Sequence, residues 1–396
     1  MDQHYRYYRD VFAERPMPFA FVDLDRFDRN ADTVLRRAGR MPVCLASKSI
    51  RCAPLLKRLQ ARSPRFHSIL AYSACEAVFL CNQGFDNIIV AYPVWSEART
   101  SGIADMVRAG KTLALMVDCA EHADYLEALG RETQTVIPVC MDVDMSSAYP
   151  RLHFGVLRSG ITTPAQALAL WEHIRGCDHL RLDGVMGYEA QIAGVQDAPP
   201  ASFLKNQLVR TLKQRSIREL AARRGAVVHA LREAGCGLRF VNGGGTGSIE
   251  STIAEEVVTE VTVGSGFYSP ALFDHYTQFR HEPAAAFAIE IVRQPAPTTY
   301  TCQGGGYVAS GAAGADKLPR PWLPEGAKLT ANEGAGEVQT PIIYAGTEPL
   351  SLGAPIFMRH AKAGELCERF NTLLLVSNGE IVDEVNTYRG EGLCFL

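Results

Sequence analysis

A lysine at the end of an apolar run and two glycine-rich turns far downstream carry most of the chemistry open to this chain of 396 residues. Lys48 lies in Val43-Cys-Leu-Ala-Ser-Lys-Ser-Ile-Arg51. An amine at the carboxyl end of a buried strand points to the face where barrel enzymes assemble their sites. Partial burial and a neighbouring cation such as Arg51 would favour the neutral amine that forms a Schiff base. The second feature is Asn242-Gly-Gly-Gly-Thr-Gly-Ser248, which follows an apolar run and opens a helix at Ile249. Its glycines let the backbone approach a ligand closely, and Thr246, Ser248 and the helix start offer donors to an anion. A second such turn, Val263-Gly-Ser-Gly-Phe-Tyr268, ends the next run. Alone, each feature is also satisfied by a flexible turn or a solvated lysine. Together they predict an aldehyde cofactor that bears a phosphate.

The elements that must position these groups are short. Residues 43–48, 68–72, 87–92, 113–118, 136–143, 182–189, 239–245 and 260–266 are apolar, largely continuous runs. Strands buried on both faces of a parallel sheet read this way. Amphipathic stretches at 74–82, 96–109, 120–131 and 164–174 separate them, and 207–234 reads as an inserted helical hairpin. Eight βα units predict a closed (β/α)8 TIM barrel, with a doubly wound open sheet as the alternative. Ahead of it, 18–24 reads as one more strand, followed by a helix over 25–38 capped by Asp23 or Asp25.

Beyond about residue 280 the pattern changes to short strands at 284–292, 306–309, 341–345, 354–358, 372–376 and 380–383, separated by Gly/Pro-rich turns. This predicts a second, all-β C-terminal domain over 279–396, to which residues 1–14 could add, after a barrel over 15–278. The net charge is -3 and no basic stripe is present, which argues against nucleic acid. No apolar run is long enough to cross a membrane. Eleven scattered cysteines without a CxxC pair suggest reduced thiols and a cytoplasmic protein.

The order of the motifs resembles the fold-type III pyridoxal-phosphate enzymes, the alanine racemase barrel group, and most of all its D-threonine aldolase and metal-dependent D-serine dehydratase branch. The segments that carry the likeness are Phe21-Val-Asp-Leu-Asp25 with Asn30, Ser47-Lys48-Ser49, Val143-Asp-Met145, Arg158-Ser-Gly-Ile161, Gly187-Tyr188, Gly243-Gly-Gly-Thr246, Gly264-Ser-Gly266 and Asp274-His-Tyr276. The resemblance implies that Lys48 holds pyridoxal 5'-phosphate as a Schiff base. It places Gly244, Gly245, Thr246, Gly264 and Ser265 at the phosphate, Tyr188 near the ring, and Arg158 near the cofactor's oxygen or the substrate carboxylate.

The same resemblance implies a divalent metal, zinc or manganese, with His360 and Cys367 as the matching residues. The branch usually sets its two ligands one residue apart, whereas six residues separate this pair, so Glu365 is an alternative ligand and no metal at all a third option. The implied activity is that of a lyase on a small β-hydroxy D-amino acid, a dehydratase or an aldolase, working as a homodimer. An amino-acid racemase is the alternative, with Tyr268, Tyr276 or Tyr307 as its second base. A non-catalytic pyridoxal-phosphate carrier is a further one.

Overall fold

The computed structural model describes residues 2–100, 102–150, 152–200 and 203–395. Eight parallel strands, Val43–Ala46, Phe66–Ala71, Ile88–Val90, Leu113–Val117, Ile137–Asp142, Leu180–Gly187, Phe240–Gly243 and Glu260–Val263, close into a barrel in chain order. Closure is made by the eighth strand on the first, with Val261 opposite Val43. All eight runs expected from the sequence therefore form barrel strands.

Each strand is buried on both faces, for the reason its continuous apolar character implies. One set of side chains, including Cys44, Ile89, Met116, Cys140, Met186 and Phe240, fills the barrel. The other set packs under the surrounding helices. Phe240 fits inside because its neighbour Gly184 has no side chain; a Cβ there would lie 2.4 Å from the ring. A polar layer crosses the same interior, where Glu260 accepts from Asn242 at 2.6 Å and from Ser68 at 2.9 Å. Buried polar groups need such partners.

The helices depart from expectation in two places. The stretch read as a hairpin is one helix, Phe203–Glu233. Its single glycine, Gly225, meets nothing within 4 Å, and one glycine costs a helix only about 1 kcal/mol. The stretch read as 96–109 splits into Glu97–Thr100 and Ile103–Arg108 around Gly102, which adopts φ +86°; Ser101 lies outside the described residues.

The C-terminal residues form a nine-stranded sheet. It includes Ala285–Ala296, Thr299–Gln303, Gln339–Ile343, Pro355–Arg359, Thr372–Ser377 and Glu380–Asn386. No strand forms at 306–309, a glycine-flanked stretch, and Arg320–Leu323 and Lys328–Leu329 contribute instead. The strand Phe19–Asp23 belongs to this sheet and not to the barrel. It lies antiparallel to Ala285–Ala296 and parallel to Thr372–Ser377. The helix Gln3–Val11 buries Tyr5 and Tyr8 against Phe21 and Phe357 of the same sheet. Asp23 caps the next helix, Leu24–Arg37, by accepting from the Arg26 amide at 3.0 Å.

Candidate active site

Lys48 sits in a single 3-10 turn, Ser47–Ser49, at the carboxyl end of the first barrel strand. It lines a concave cleft at the carboxyl ends of the barrel strands, shared with Tyr92, Arg158 and Tyr188. Its Nζ donates to the Tyr92 hydroxyl at 2.8 Å. Tyr92 follows the third barrel strand and was not legible as a site residue. Burial alone would raise its phenol, but the charges of Lys48 and Arg158 outweigh burial and hold it below its ordinary range. The Arg158 guanidinium stands 5.5 Å from the centre of the Tyr92 ring and 5.8 Å from that of Tyr188. Arg51 is turned elsewhere: it donates to the Lys48 carbonyl at 2.9 Å, pairs with Glu368 and covers the Tyr72 ring. The cation grouped with the lysine and its phenol is thus Arg158.

The two glycine turns line the same cleft, through Gly244, Gly245, Thr246, Gly264 and Ser265. All eight residues singled out for cofactor contact, Lys48, Arg158, Tyr188 and these five, are brought together there. Gly244 has φ +90°, and a Cβ on it would lie 2.5 Å from Val261. A Cβ on Gly264 would lie 2.6 Å from Ser49 Oγ, so the last strand's turn can rest on the lysine turn only as glycine. The Gly266 amide donates to Thr246 Oγ1 at 3.0 Å and ties one turn to the other.

A buried network holds the first turn from behind. Glu189 accepts from the Gly244 amide at 3.2 Å, from Ser248 Oγ at 3.1 Å and from the Thr252 hydroxyl. Arg224 on the long helix, 0% exposed, donates to Glu189 at 2.9 Å and to the Gly187 carbonyl at 3.0 Å, and pairs with Glu255. An arginine on a mostly polar helix gives no sequence signal of such a role. The cleft fits a planar, phosphate-bearing aldehyde: an amine at Lys48, aromatic faces at Tyr92 and Tyr188, an apolar lining at Leu70 and Met186, and hydroxyls at Thr246 and Ser265 with bare backbone beside them.

Asp142, at the end of the fifth barrel strand, is a further group the sequence did not reveal. It shares a smaller cavity with Tyr92, Arg158 and Tyr188. Burial, assisted by the charge of Asp118, raises its carboxyl to about 7. The three tyrosines considered as second bases do not line the cleft. Tyr268 donates to the Ile50 carbonyl at 2.9 Å, Tyr276 to the Ala193 carbonyl at 3.0 Å, and Tyr307 is half-buried, with its hydroxyl shielded from solvent.

His360 and Cys367 supply at most two donors for a metal. His360 is fully buried, and burial with the nearby Arg359 pushes its imidazole down to about 3. Its ring nitrogens have no hydrogen-bond partner. Burial pushes the Cys367 thiol up, and the thiol donates to the Ile50 carbonyl at 3.2 Å. A metal takes the thiolate, and two donors fall short of the usual three or four. Glu365, the alternative, accepts from the Ser310 amide at 3.1 Å. Among the described residues, the one group of three close metal-type donors is Asp118, Cys119 and His122, and it includes neither His360 nor Cys367.

The chain belongs to the family "Alanine racemase, N-terminal domain", which matches residues 22–270. Among characterised proteins it is 25% identical to the D-threonine aldolase of an Arthrobacter species over 65% of this chain and 62% of that protein. It is 20% identical to the 3-hydroxy-D-aspartate aldolase of Paracoccus denitrificans over 64% and 60%. The matched part thus spans about three-fifths of the length of these relatives. Among solved structures, the D-threonine aldolase of Filomicrobium marinum superposes with a TM-score of 0.79 at 18% identity, covering 95% of both chains. The D-threo-3-hydroxyaspartate dehydratase of a Delftia species gives 0.76 at 18% identity, covering 95% of this chain and 98% of that one. Both likenesses extend the shared fold from the barrel through the second sheet.

Proposed function

We propose that this chain is a pyridoxal-phosphate-dependent lyase for small β-hydroxy D-amino acids. The observation that carries the reading is the convergence of the Lys48 amine and both glycine turns on one cleft. The relatives named above, aldolases and a dehydratase of such substrates, support the reaction class. Bound there, pyridoxal phosphate supplies an electron-accepting ring for the charge left at the substrate's Cα. Lys48 would hold the cofactor, and its amine, bonded to the Tyr92 hydroxyl, is placed to move a proton. Thr246, Ser265 and the bare glycine backbone hold the phosphate. Tyr188 and Arg158 flank the ring and the substrate's carboxylate.

Within one chain, Tyr92 is the phenol in place near the amine, and Tyr268, Tyr276 and Tyr307 lie off the cleft. Among the described residues no helix is long and apolar enough to cross a membrane. All eleven cysteines are free, which supports a reducing, cytoplasmic setting.

The test is product analysis of cofactor-loaded protein with a panel of D- and L-amino acids. Keto acid plus ammonia, or glycine plus aldehyde, from D-β-hydroxy substrates supports the reading. Bare interconversion of enantiomers, or no turnover at all, removes it.

A further inference from the structure

The fourth barrel strand, Leu113–Val117, runs straight into Asp118-Cys119, and the helix Ala120–Thr133 starts at once. Cys119 is the N-cap of that helix, and Asp118 and His122, four residues apart, share one face of its first turn. One donor atom from each of Asp118, Cys119 and His122 lies within 4.8 Å of the other two. All three residues are half-buried. His122 Nδ1 comes within 2.9 Å of an Asp118 carboxylate oxygen, yet it is shut off from solvent and makes no hydrogen bond. An ordinary pair of this length aligns its N–H with the oxygen. Here the two atoms meet without that alignment, as two lone pairs facing a third atom do. The Trp95 ring walls the group on one side, 6.0 Å from the His122 ring and stacked on Tyr125 at 5.2 Å.

We propose that Asp118, Cys119 and His122 form a site for a divalent cation of the zinc class, on the rim of the barrel face that carries Lys48. A carboxylate, a thiolate and an imidazole suit zinc or cobalt, whereas magnesium and calcium select oxygen donors alone. Ligand atoms about 2.0–2.3 Å from one zinc ion stand roughly 3–4 Å from each other. Small side-chain rotations bring the present group to that spacing. Three protein donors leave a fourth position for water, on the solvent side. On binding, Cys119 Sγ gives its proton to solvent and bonds the cation, while Asp118 and His122 each lend a lone pair; nothing is oxidised or reduced. The cation thereby ties the end of the fourth strand to the start of its helix. His360 and Cys367 offer two donors where this group offers three. The site is independent of the proposed lyase reading.

The experiment strips cofactor-loaded protein with EDTA, removes the chelator and titrates with Co2+, whose ligand-field bands lie to the red of the cofactor's absorption. Wild type should show the intense bands of a tetrahedral site with a thiolate ligand, and zinc should bleach them while magnesium does not. Cys119→Ser keeps a good N-cap and so keeps the helix. It should lose these bands and bind Co2+ at least about 10-fold more weakly, as should His122→Gln. Cys367→Ser should bind as wild type does. A second readout is fluorescence: Co2+ beside His122 should quench Trp95, so Trp95→Phe should lose most of the quench and keep the bands. Weak octahedral bands alone in wild type mean an adventitious surface ion and overturn the proposal. Bands that survive in Cys119→Ser, or that Cys367→Ser abolishes, overturn it too, as does a quench equal in wild type and Trp95→Phe.

Discussion

The Lys48 amine and the Tyr92 hydroxyl are joined by a hydrogen bond of 2.8 Å, although one ends the first barrel strand and the other follows the third. The phenol thereby fixes the direction of an otherwise free side chain. Tyr92→Phe should still bind pyridoxal phosphate, with borohydride fixing it on Lys48 by mass spectrometry. Turnover should fall about 10- to 100-fold, as for loss of a positioned proton-transfer group. Lys48→Ala should show no fixation at all. A Tyr92→Phe variant with full turnover would take the phenol out of the chemistry.

Asp142 gives the protein a pH-dependent stability with a definite sign. Burial first, then the Asp118 charge, raises it from 3.8 to about 7, so the folded state holds this proton more tightly than the unfolded chain. The stabilisation is complete below the unfolded value and is lost as pH rises through about 7. Asp142→Asn should therefore gain on wild type between pH 5 and 8, by up to about 4 kcal/mol, and the two should converge near the acid end. Calorimetric Tm values across the range test this; a difference independent of pH would contradict it.

Gly264→Ala sets a methyl against Ser49, next to the lysine. The turn must move by more than a few tenths of an ångström, which predicts a stability loss of about 1–3 kcal/mol. The affinity for pyridoxal phosphate should fall at least 10-fold. Equilibrium dialysis and urea unfolding report the two effects separately. Wild-type affinity in the variant would show that this turn does not hold the phosphate.

Arg224→Met leaves Glu189 buried without its cation. Such a change typically costs about 3–5 kcal/mol, far more than an exposed arginine would. Adding Glu189→Gln should recover part of it, because an amide needs no counter-ion. Denaturant midpoints of the two single variants and the double variant decide the point, and simple additivity would argue against coupling.

Self-association is the remaining expectation, and light scattering is its test. We propose a homodimer, supported by Leu157, 84% exposed beside Arg158, and by Phe203 and Leu204, 71% and 83% exposed. A monomer at micromolar concentration would refute it.

The barrel was legible because every strand is buried on both sides and so carries an unbroken apolar run. Lys48 and the glycine turns were legible because their chemistry is local: one residue type at one strand end. Tyr92, Asp142 and the Arg224–Glu189 pair were not, since a tyrosine or a carboxylate after a strand looks the same whether it faces the cleft or packs in the core. Phe19–Asp23 was misassigned to the barrel's approach because strand pairing over such a separation leaves no local trace. The His360–Cys367 pair came from resemblance and not from any local ligand spacing.

That misassigned strand has a consequence for how the molecule is made. Phe21 lies opposite Leu374, almost the whole chain away, so the sheet cannot be completed until the last strands have left the ribosome. Until then the strand has only one of its two neighbours, Ala285–Ala296, and the barrel must form with the second sheet unfinished. Loop closure over such distances is slow. The two folding units are stitched rather than strung in series, and neither a cut before residue 24 nor one after the barrel's last strand would release an intact half.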